Sequence, residues 1–183
     1  LNLDIIQVVY QVFEERTKLD YQEWMYGYQN ELSCVLERID KALSIVSSSI
    51  VSHHINIINN IDYSQPIDIR IIMGELSQVI INIFNNAKDI LVERKIENPW
   101  IKIDLKKETT KVIILIEDNG TGIQENILPR IFEPYFTTKH QSQGTGLGLH
   151  ICYTIITNSL KGRIGAENTE NGAKFYIEIP LDK

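Results

Sequence analysis

The sequence lacks several features that define large classes of proteins. Its 183 residues include two cysteines, Cys34 and Cys152, which stand far apart without CxxC spacing, so we predict neither a disulfide framework nor a zinc site. No apolar run approaches the roughly 20 residues of a membrane span, and no signal peptide opens the chain. We therefore expect a cytoplasmic segment without membrane contact of its own. Because it begins with Leu1 rather than methionine, we also expect a piece of a longer protein, whose parent could be membrane-anchored.

Positive charge is also scarce. The chain carries 18 Lys and Arg against 24 Asp and Glu, a formal net charge of -6, and the basic residues do not cluster. A nucleic-acid surface relies on clustered Lys and Arg, so we expect no nucleic-acid partner. The composition is otherwise that of an ordinary globular domain, with 43% hydrophobic residues. That is enough for one domain with a proper core.

Apolar spacing divides the chain into two parts. Residues 1–36 favour an N-terminal helical segment or linker, and residues 37–183 form the main domain. Within that domain, helical spacing runs over 36–54 and again from Glu75 to Lys95, and a short helix is expected over 124–133. The predicted strands are 55–61, 67–73, 100–107, 111–118, 162–168 and 172–180. The short polar turn between 100–107 and 111–118 predicts an antiparallel hairpin of these two strands. Strand 111–118 is almost entirely apolar, which predicts a central position in the sheet.

Two asparagines interrupt the second long helix at a spacing of four. Asn82 and Asn86 therefore lie on one face and can reach a single ion or phosphate group. Amide oxygens suit Mg²⁺, which binds through few protein ligands together with substrate phosphates. The alternative is that both residues mark the solvent-facing side of the helix.

Asp118 ends the buried strand and enters the glycine turn Asn119-Gly-Thr-Gly. A carboxylate there can accept a hydrogen bond from the amino group of adenine, while Gly120 and Gly122 let a flat ring approach the backbone. The same letters also describe an ordinary turn.

A second glycine cluster, GTGLGL at 144–149, opens an apolar helix. The N–H groups at the start of that helix predict an anion site, and Lys139 in the preceding polar segment adds a positive charge that can reach it. His53 and His54 could accept a phosphate or bind a metal. We interpret them instead as cations at the end of a helix.

Taken in order, these segments resemble the catalytic ATP-binding domain of sensor histidine kinases, in the superfamily that includes gyrase, the Hsp90 chaperones and mismatch-repair ATPases. The resemblance covers residues 38–181 and consists of five boxes: ELSQVIINIFNNAKDIL, DNGTGI, IFEPYFTTK, GTGLGL and NGAKF. It implies the Bergerat fold, a two-layer α/β sandwich with a mixed, mostly antiparallel sheet and helices on one face.

The resemblance also implies a role for particular residues. Asn86 would coordinate Mg²⁺, Asn82 would assist at the metal and phosphates, and Lys139 would act with them in catalysis. Asp118 would bind the adenine amino group. The remaining residues expected at ATP are Gly120, Gly122, Ile123, Phe136, Thr138, Gly144, Thr145, Gly146, Leu147, Gly148 and Leu149.

Two departures refine the expected activity. Superfamily members that hydrolyse ATP carry a glutamate four residues before the metal-binding asparagine, but this chain has Asn82, which cannot act as a base. Transfer to a histidine is therefore favoured over hydrolysis. The third glycine box has Ala173 where the family has threonine, which removes a hydroxyl from the adenine site.

No histidine in the chain has the surroundings of a phosphoacceptor. We therefore expect the acceptor and dimerisation domain to be a separate partner, with a response regulator downstream in a two-component phosphorelay. Residues 1–36 stand where the end of that acceptor region or its linker would lie. The alternatives are a catalytically inert module that binds nucleotide or a partner, and a self-contained ATPase or serine kinase.

Overall fold

The computed structural model describes residues 31–64, 67–71, 74–138 and 145–181. The chain divides into two units, Leu1–Glu31 and Leu32–Lys183. Residues 1–30 of the predicted N-terminal helical segment, Lys139 and Gly144 lie outside the described residues. The predicted boundary between residues 36 and 37 stays a prediction.

Two long helices form one layer of the described unit. Helix α1 spans Val35–Ser52 and buries Ile39, Val46 and Ile50. Helix α2 spans Glu75–Glu93 and follows Gly74. The φ of Gly74 is 94°, a left-handed conformation that glycine adopts more readily than other residues. The apolar stripe predicted for α2 is buried from Leu76 to Leu91, except that Ile90 is half-buried. Asn82 and Asn86 lie outside this stripe and are half-buried.

A five-stranded sheet forms the other layer. Its strands are β2 (Asn56–Asn59), β4 (Trp100–Lys107), β5 (Lys111–Asp118), β6 (Arg163–Asn168) and β7 (Ala173–Pro180). The spatial order is β2-β4-β5-β7-β6; β2 and β4 are parallel and the other three pairs are antiparallel. The predicted central position of β5 and the mixed, mostly antiparallel α/β sheet are confirmed.

Alternation along the central strands decides which sheet face meets the helices. Val112, Ile114 and Ile116 of β5 are buried, whereas Ile113 and Leu115 between them are half-buried. The outer face carries ion pairs across neighbouring strands, such as Lys102 with Glu117 at 2.6 Å. The core therefore lies between the sheet and one layer of helices, as expected of a two-layer sandwich.

Three local features differ from the sequence predictions. Residues 31–34 form a short strand, β1 (Glu31–Cys34), which pairs with β3 (Asp68–Ile71). The helix expected over 124–133 is reduced to one 3₁₀ turn, Leu128–Arg130. Helix α3, Gly148–Thr154, continues into a π-helical turn at Ile155–Ser159. Of these, the pairing of β1 with β3 joins distant segments and so has no local periodicity to announce it.

Glu75 at the start of α2 supplies a test of the core. Its Oε1 accepts a hydrogen bond from Ser159 Oγ at 2.9 Å, while its buried Oε2 has no hydrogen-bond partner within the described residues. Burial raises the pKa of Glu75 above its usual value, so the folded state holds this proton more tightly than the unfolded state.

The raised pKa of Glu75 should make stability fall as pH rises. Below the unfolded pKa both states are protonated, and above it only the folded state bears the cost of ionising a buried carboxyl. We expect Glu75→Gln to remove this fall. The free energy of unfolding of the variant, measured with urea, should therefore rise relative to that of the wild type between pH 4 and 8. Glu170→Gln, which changes an exposed carboxylate, is the control. An equal pH dependence of Glu75→Gln and wild type would contradict the assignment.

Candidate functional site

The two predicted metal-binding asparagines occupy one side of α2 and are both half-buried. Asn82 Nδ2 donates to the carbonyl oxygen of Gly148 at 3.4 Å and faces Cys152 Sγ at 3.7 Å. Asn82 therefore ties α2 to the beginning of α3. Among the described residues, the Asn86 side chain has no hydrogen-bond partner. A half-buried amide without a partner is available to a ligand, which fits the donor chemistry of a Mg²⁺ site.

Asp118 is the buried carboxylate of the site, with 5% of its surface exposed. Its Oδ1 accepts the N–H of Gly120 at 2.8 Å, and the N–H of Ala173 also donates to the carboxylate. Burial raises the pKa of Asp118, and these two N–H groups and the charge of Arg94 oppose that rise. Because a carboxylate has about four lone-pair sites, it keeps acceptor capacity for an exocyclic amino group.

Two further residues hold the turn after Asp118, and sequence reasoning did not identify either. Arg94, which caps α2, donates to the Thr121 hydroxyl at 2.6 Å and to the carbonyl oxygens of Gly120 and Gly122. Asn168, at the end of β6, bonds both the N–H and the C=O of Ile123 at 2.7 Å. The partners are 26 to 45 residues apart in the chain, so no local pattern announces them.

Gly146 joins the second glycine segment to the aromatic segment before it. Its φ is 68°, and a Cβ at this position would lie 2.7 Å from the carbonyl oxygen of Tyr135 and 2.9 Å from that of Phe136. The ring of Phe136 lies under the guanidinium of Arg130, with 4.8 Å between Cζ and the ring centroid. The structure thus brings these two predicted site segments into direct contact.

The other predicted residues of these segments are accessible to different degrees. Thr138 and Thr145 are exposed, and the Thr145 hydroxyl accepts the N–H of Leu147 at 3.4 Å. Gly148 and Leu149 form the first turn of α3 and are half-buried. Here the N–H groups that a helix leaves unpaired at its start are present without a side-chain cap.

Several candidate reactive groups have structural roles instead. Cys152 is fully buried, and burial raises the pKa of its thiol to about 12, so it is a protonated thiol at neutral pH. His150 Nδ1 lies 3.1 Å from the carbonyl oxygen of Phe132. His53 Nδ1 lies 2.7 Å from the carbonyl oxygen of Ser49 at the end of α1, in agreement with the interpretation as a helix-terminal group.

Two features that would suggest other functions are absent from the described part of the chain. Across those residues, no helix is both long and apolar enough to cross a membrane. In the same part, His, Cys, Asp and Glu side chains form no group of three suited to a metal ion.

A side chain added at Gly146 should disturb the nucleotide site. We expect Gly146→Ala to weaken nucleotide binding by about tenfold or more, because the added methyl group meets the backbone of the aromatic segment and strains a left-handed residue. Gly74→Ala is a matched control: Gly74 also has a positive φ, but a Cβ there meets no described atom within 4 Å. If both variants bound a fluorescent ATP analogue as the wild type does, the contact would be irrelevant to the site.

Comparisons with known proteins agree with this geometry. Residues 73–183 match the family model described as histidine kinase-, DNA gyrase B-, and HSP90-like ATPase. The two-component sensor PprA of Pseudomonas aeruginosa is 34% identical over 76% of this chain and 15% of its own length. Sporulation kinase E of Bacillus subtilis is 31% identical over 87% of this chain and 20% of its own length.

Solved structures give the same result. The catalytic domain of histidine kinase ThkA, in a nucleotide-free form, superposes with a TM-score of 0.70 at 34% identity, covering 82% of this chain and 96% of that domain. A complex of ThkA with the response regulator TrrA contains a chain that is 27% identical, with a TM-score of 0.67, covering 97% of this chain and 51% of that one.

The chain therefore belongs to the histidine kinase-, DNA gyrase B-, and HSP90-like ATPase family, and it is similar to the catalytic domains of sensor histidine kinases. The resemblance and the fold inferred from the sequence are confirmed. The chain spans only about a fifth or less of the curated relatives described above.

Proposed function

We propose that this chain is the catalytic domain of a two-component sensor histidine kinase and transfers the γ-phosphate of ATP to a histidine of a separate acceptor and dimerisation domain. One observation carries the proposal: α2 contacts both predicted nucleotide-binding segments. Asn82 reaches Gly148 at the second glycine segment, and Arg94 reaches the turn that follows Asp118. The metal-binding face, the adenine acceptor and the phosphate segment thus belong to one connected structure.

Adenine recognition is assigned to Asp118 and the turn beside it. The carboxylate would accept a hydrogen bond from the adenine amino group, while Gly122, at a φ of 80°, and Ile123 would flank the ring. The buried location strengthens such a bond relative to water. Ala173 contributes its N–H to Asp118 but no hydroxyl, so the base contacts of this site depend more on the carboxylate.

Phosphate binding is assigned to the segment that leads into α3. N–H groups near Gly146 and Gly148 would donate hydrogen bonds to phosphate oxygens. The family resemblance adds Gly144, Thr145 and Lys139 to the residues expected at the phosphates. Asn86, with Asn82 beside it, would hold Mg²⁺ through amide oxygens. When bound, Mg²⁺ supplies neutralisation of the phosphate charge.

The transfer needs little from this chain beyond positioning and electrostatics. An imidazole nitrogen of the acceptor forms a bond to the γ-phosphorus, and the bond from that phosphorus to the bridging oxygen breaks. The electron pair leaves with ADP, and the imidazole loses its N–H proton to solvent. Asn82 stands where a base for water would be required, so the chain favours an incoming imidazole over hydrolysis.

The experiment combines this chain with the histidine-bearing segment of its own parent protein and γ-labelled ATP. We expect acid-labile, alkali-stable label on the acceptor, as a phosphohistidine requires. Nucleotide binding without label on the acceptor would contradict the kinase and leave an inert nucleotide-binding module. A response regulator is the proposed downstream partner, since the related kinase ThkA has been solved in complex with one.

A further inference from the structure

We propose that Arg94 and Asn168 are positioning residues that fix the adenine-binding turn, residues 119–123, and tie it to helix α2. This inference deepens the proposed function and rests on it. Neither residue belongs to the five boxes that carry the family resemblance.

Arg94 holds the turn from the side of α2. A single guanidinium nitrogen, Nη1, donates to the carbonyl oxygens of Gly120 and Gly122 and to the hydroxyl of Thr121. The backbone N–H of Arg94 donates to the carbonyl oxygen of Ile90 at 2.9 Å, so the residue is itself anchored on the last turn of the helix. Because α2 also carries Asn82 and Asn86, Arg94 fixes the distance between the adenine site and the metal-binding face.

Asn168 holds the turn from the sheet. Its Oδ1 accepts the Ile123 N–H, and its Nδ2 donates to the Ile123 carbonyl oxygen and, at 3.1 Å, to Glu125 Oε1. A Cβ added to Gly122 would lie 2.7 Å from the same Oδ1, which is too close. The turn is therefore clamped between the end of a helix and the end of a strand.

The backbone of the turn explains why two clamps are needed. Thr121 has a φ of 67°, which is unfavourable for a β-branched residue, and Gly122 follows with a φ of 80°. Such conformations persist where the surroundings over-determine them. Without Arg94 the turn can relax, and the Gly120 N–H would no longer be held 2.8 Å from Asp118 Oδ1. The loss would be transmitted to the group that recognises adenine.

The charge of Arg94 gives a second effect on the same group. Burial raises the pKa of Asp118, the charge of Glu117 acts in the same direction, and the charge of Arg94 acts against both. Among the described residues, these are the charged groups that act on Asp118. Removing the guanidinium should therefore raise the pH below which nucleotide binding is lost.

The test is calorimetric titration of the chain with non-hydrolysable analogues of ATP and of GTP at several pH values. We expect Arg94→Met to weaken ATP-analogue binding by about 10- to 100-fold. The variant should also show a smaller ratio of ATP-analogue affinity to GTP-analogue affinity. Its affinity for the ATP analogue should be lost at a higher pH, on acidification, than that of the wild type. Arg94→Lys should recover part of the affinity, because its ammonium group keeps the positive charge and offers three N–H donors to the same acceptors. Arg163→Met, which changes an exposed arginine on β6 that lies over Tyr176, is the matched control.

The outcomes separate this inference from the function on which it rests. Absence of binding by the wild type would contradict the proposed function. Wild-type binding with unchanged affinity, base preference and pH profile in Arg94→Met would overturn the inference, even if the variant melted at a lower temperature. If Arg94→Met failed to fold, Asn168→Ala would decide: affinity equal to the wild type would overturn the inference, and a narrowed base preference would support it.

Discussion

Replacing Asn86 with alanine should abolish the Mg²⁺-dependent part of ATP binding and lower phosphoryl transfer by roughly 100-fold or more. The reason is the position of its amide, which is half-buried on α2 and has no hydrogen-bond partner within the described residues. A ligand oxygen for a hard cation would be lost without any loss of internal bonding. The measurement is ATP-analogue affinity at several Mg²⁺ concentrations, followed by the rate of label transfer.

A neighbouring residue provides the control for this prediction. Asn85 is also a half-buried asparagine of α2, one position earlier and so about 100° round the helix. Asn85→Ala should keep both the Mg²⁺ dependence and the transfer rate. If the two variants showed the same Mg²⁺ dependence and the same transfer rate, Asn86 would not be a metal ligand of the site.

The second large effect is expected from Asp118→Asn. The carboxylate accepts the N–H groups of Gly120 and Ala173, and an amide can turn only one oxygen toward such donors. Placing an NH₂ group against them leaves buried donors unpaired and removes the acceptor for adenine. We expect ATP-analogue affinity to fall by about 100-fold, which corresponds to about 2.7 kcal/mol.

Acidification should reproduce part of this loss in the wild type. Burial raises the pKa of Asp118, and only the ionised form offers every oxygen lone pair as an acceptor. Affinity should therefore fall as pH drops through a value above the ordinary aspartate pKa of 3.8. Asp104→Asn, on the neighbouring strand β4, should bind as the wild type does. An unchanged affinity of Asp118→Asn would remove Asp118 from adenine recognition.

The sequence predicted those parts of the fold that depend on regular spacing. The apolar stripe of α2, the hairpin of β4 and β5 and the central place of β5 follow from periodicity and were confirmed. The parallel pairing of β2 with β4 was not predicted, because it joins segments separated by the whole of α2. Strand β1 was not predicted either, since its pairing with β3 joins segments on either side of α1.

The candidate site shows the same division. Asn82, Asn86, Asp118 and the glycines could be predicted as site residues because the chemistry they bring depends on residue type at short spacing. Arg94 and Asn168 were missed, since each acts on a turn far along the chain and has no local pattern. The structure alone shows why they matter: Thr121 has a left-handed φ of 67°, and Arg94 Nη1 donates to its hydroxyl.

Nucleotide binding is tested directly by a calorimetric titration of the folded chain with a non-hydrolysable ATP analogue, with and without Mg²⁺. We predict binding of one analogue per chain that weakens when Mg²⁺ is removed. Absence of binding, from a chain shown by circular dichroism to be folded, would contradict the assignment of this domain as a nucleotide-binding catalytic domain.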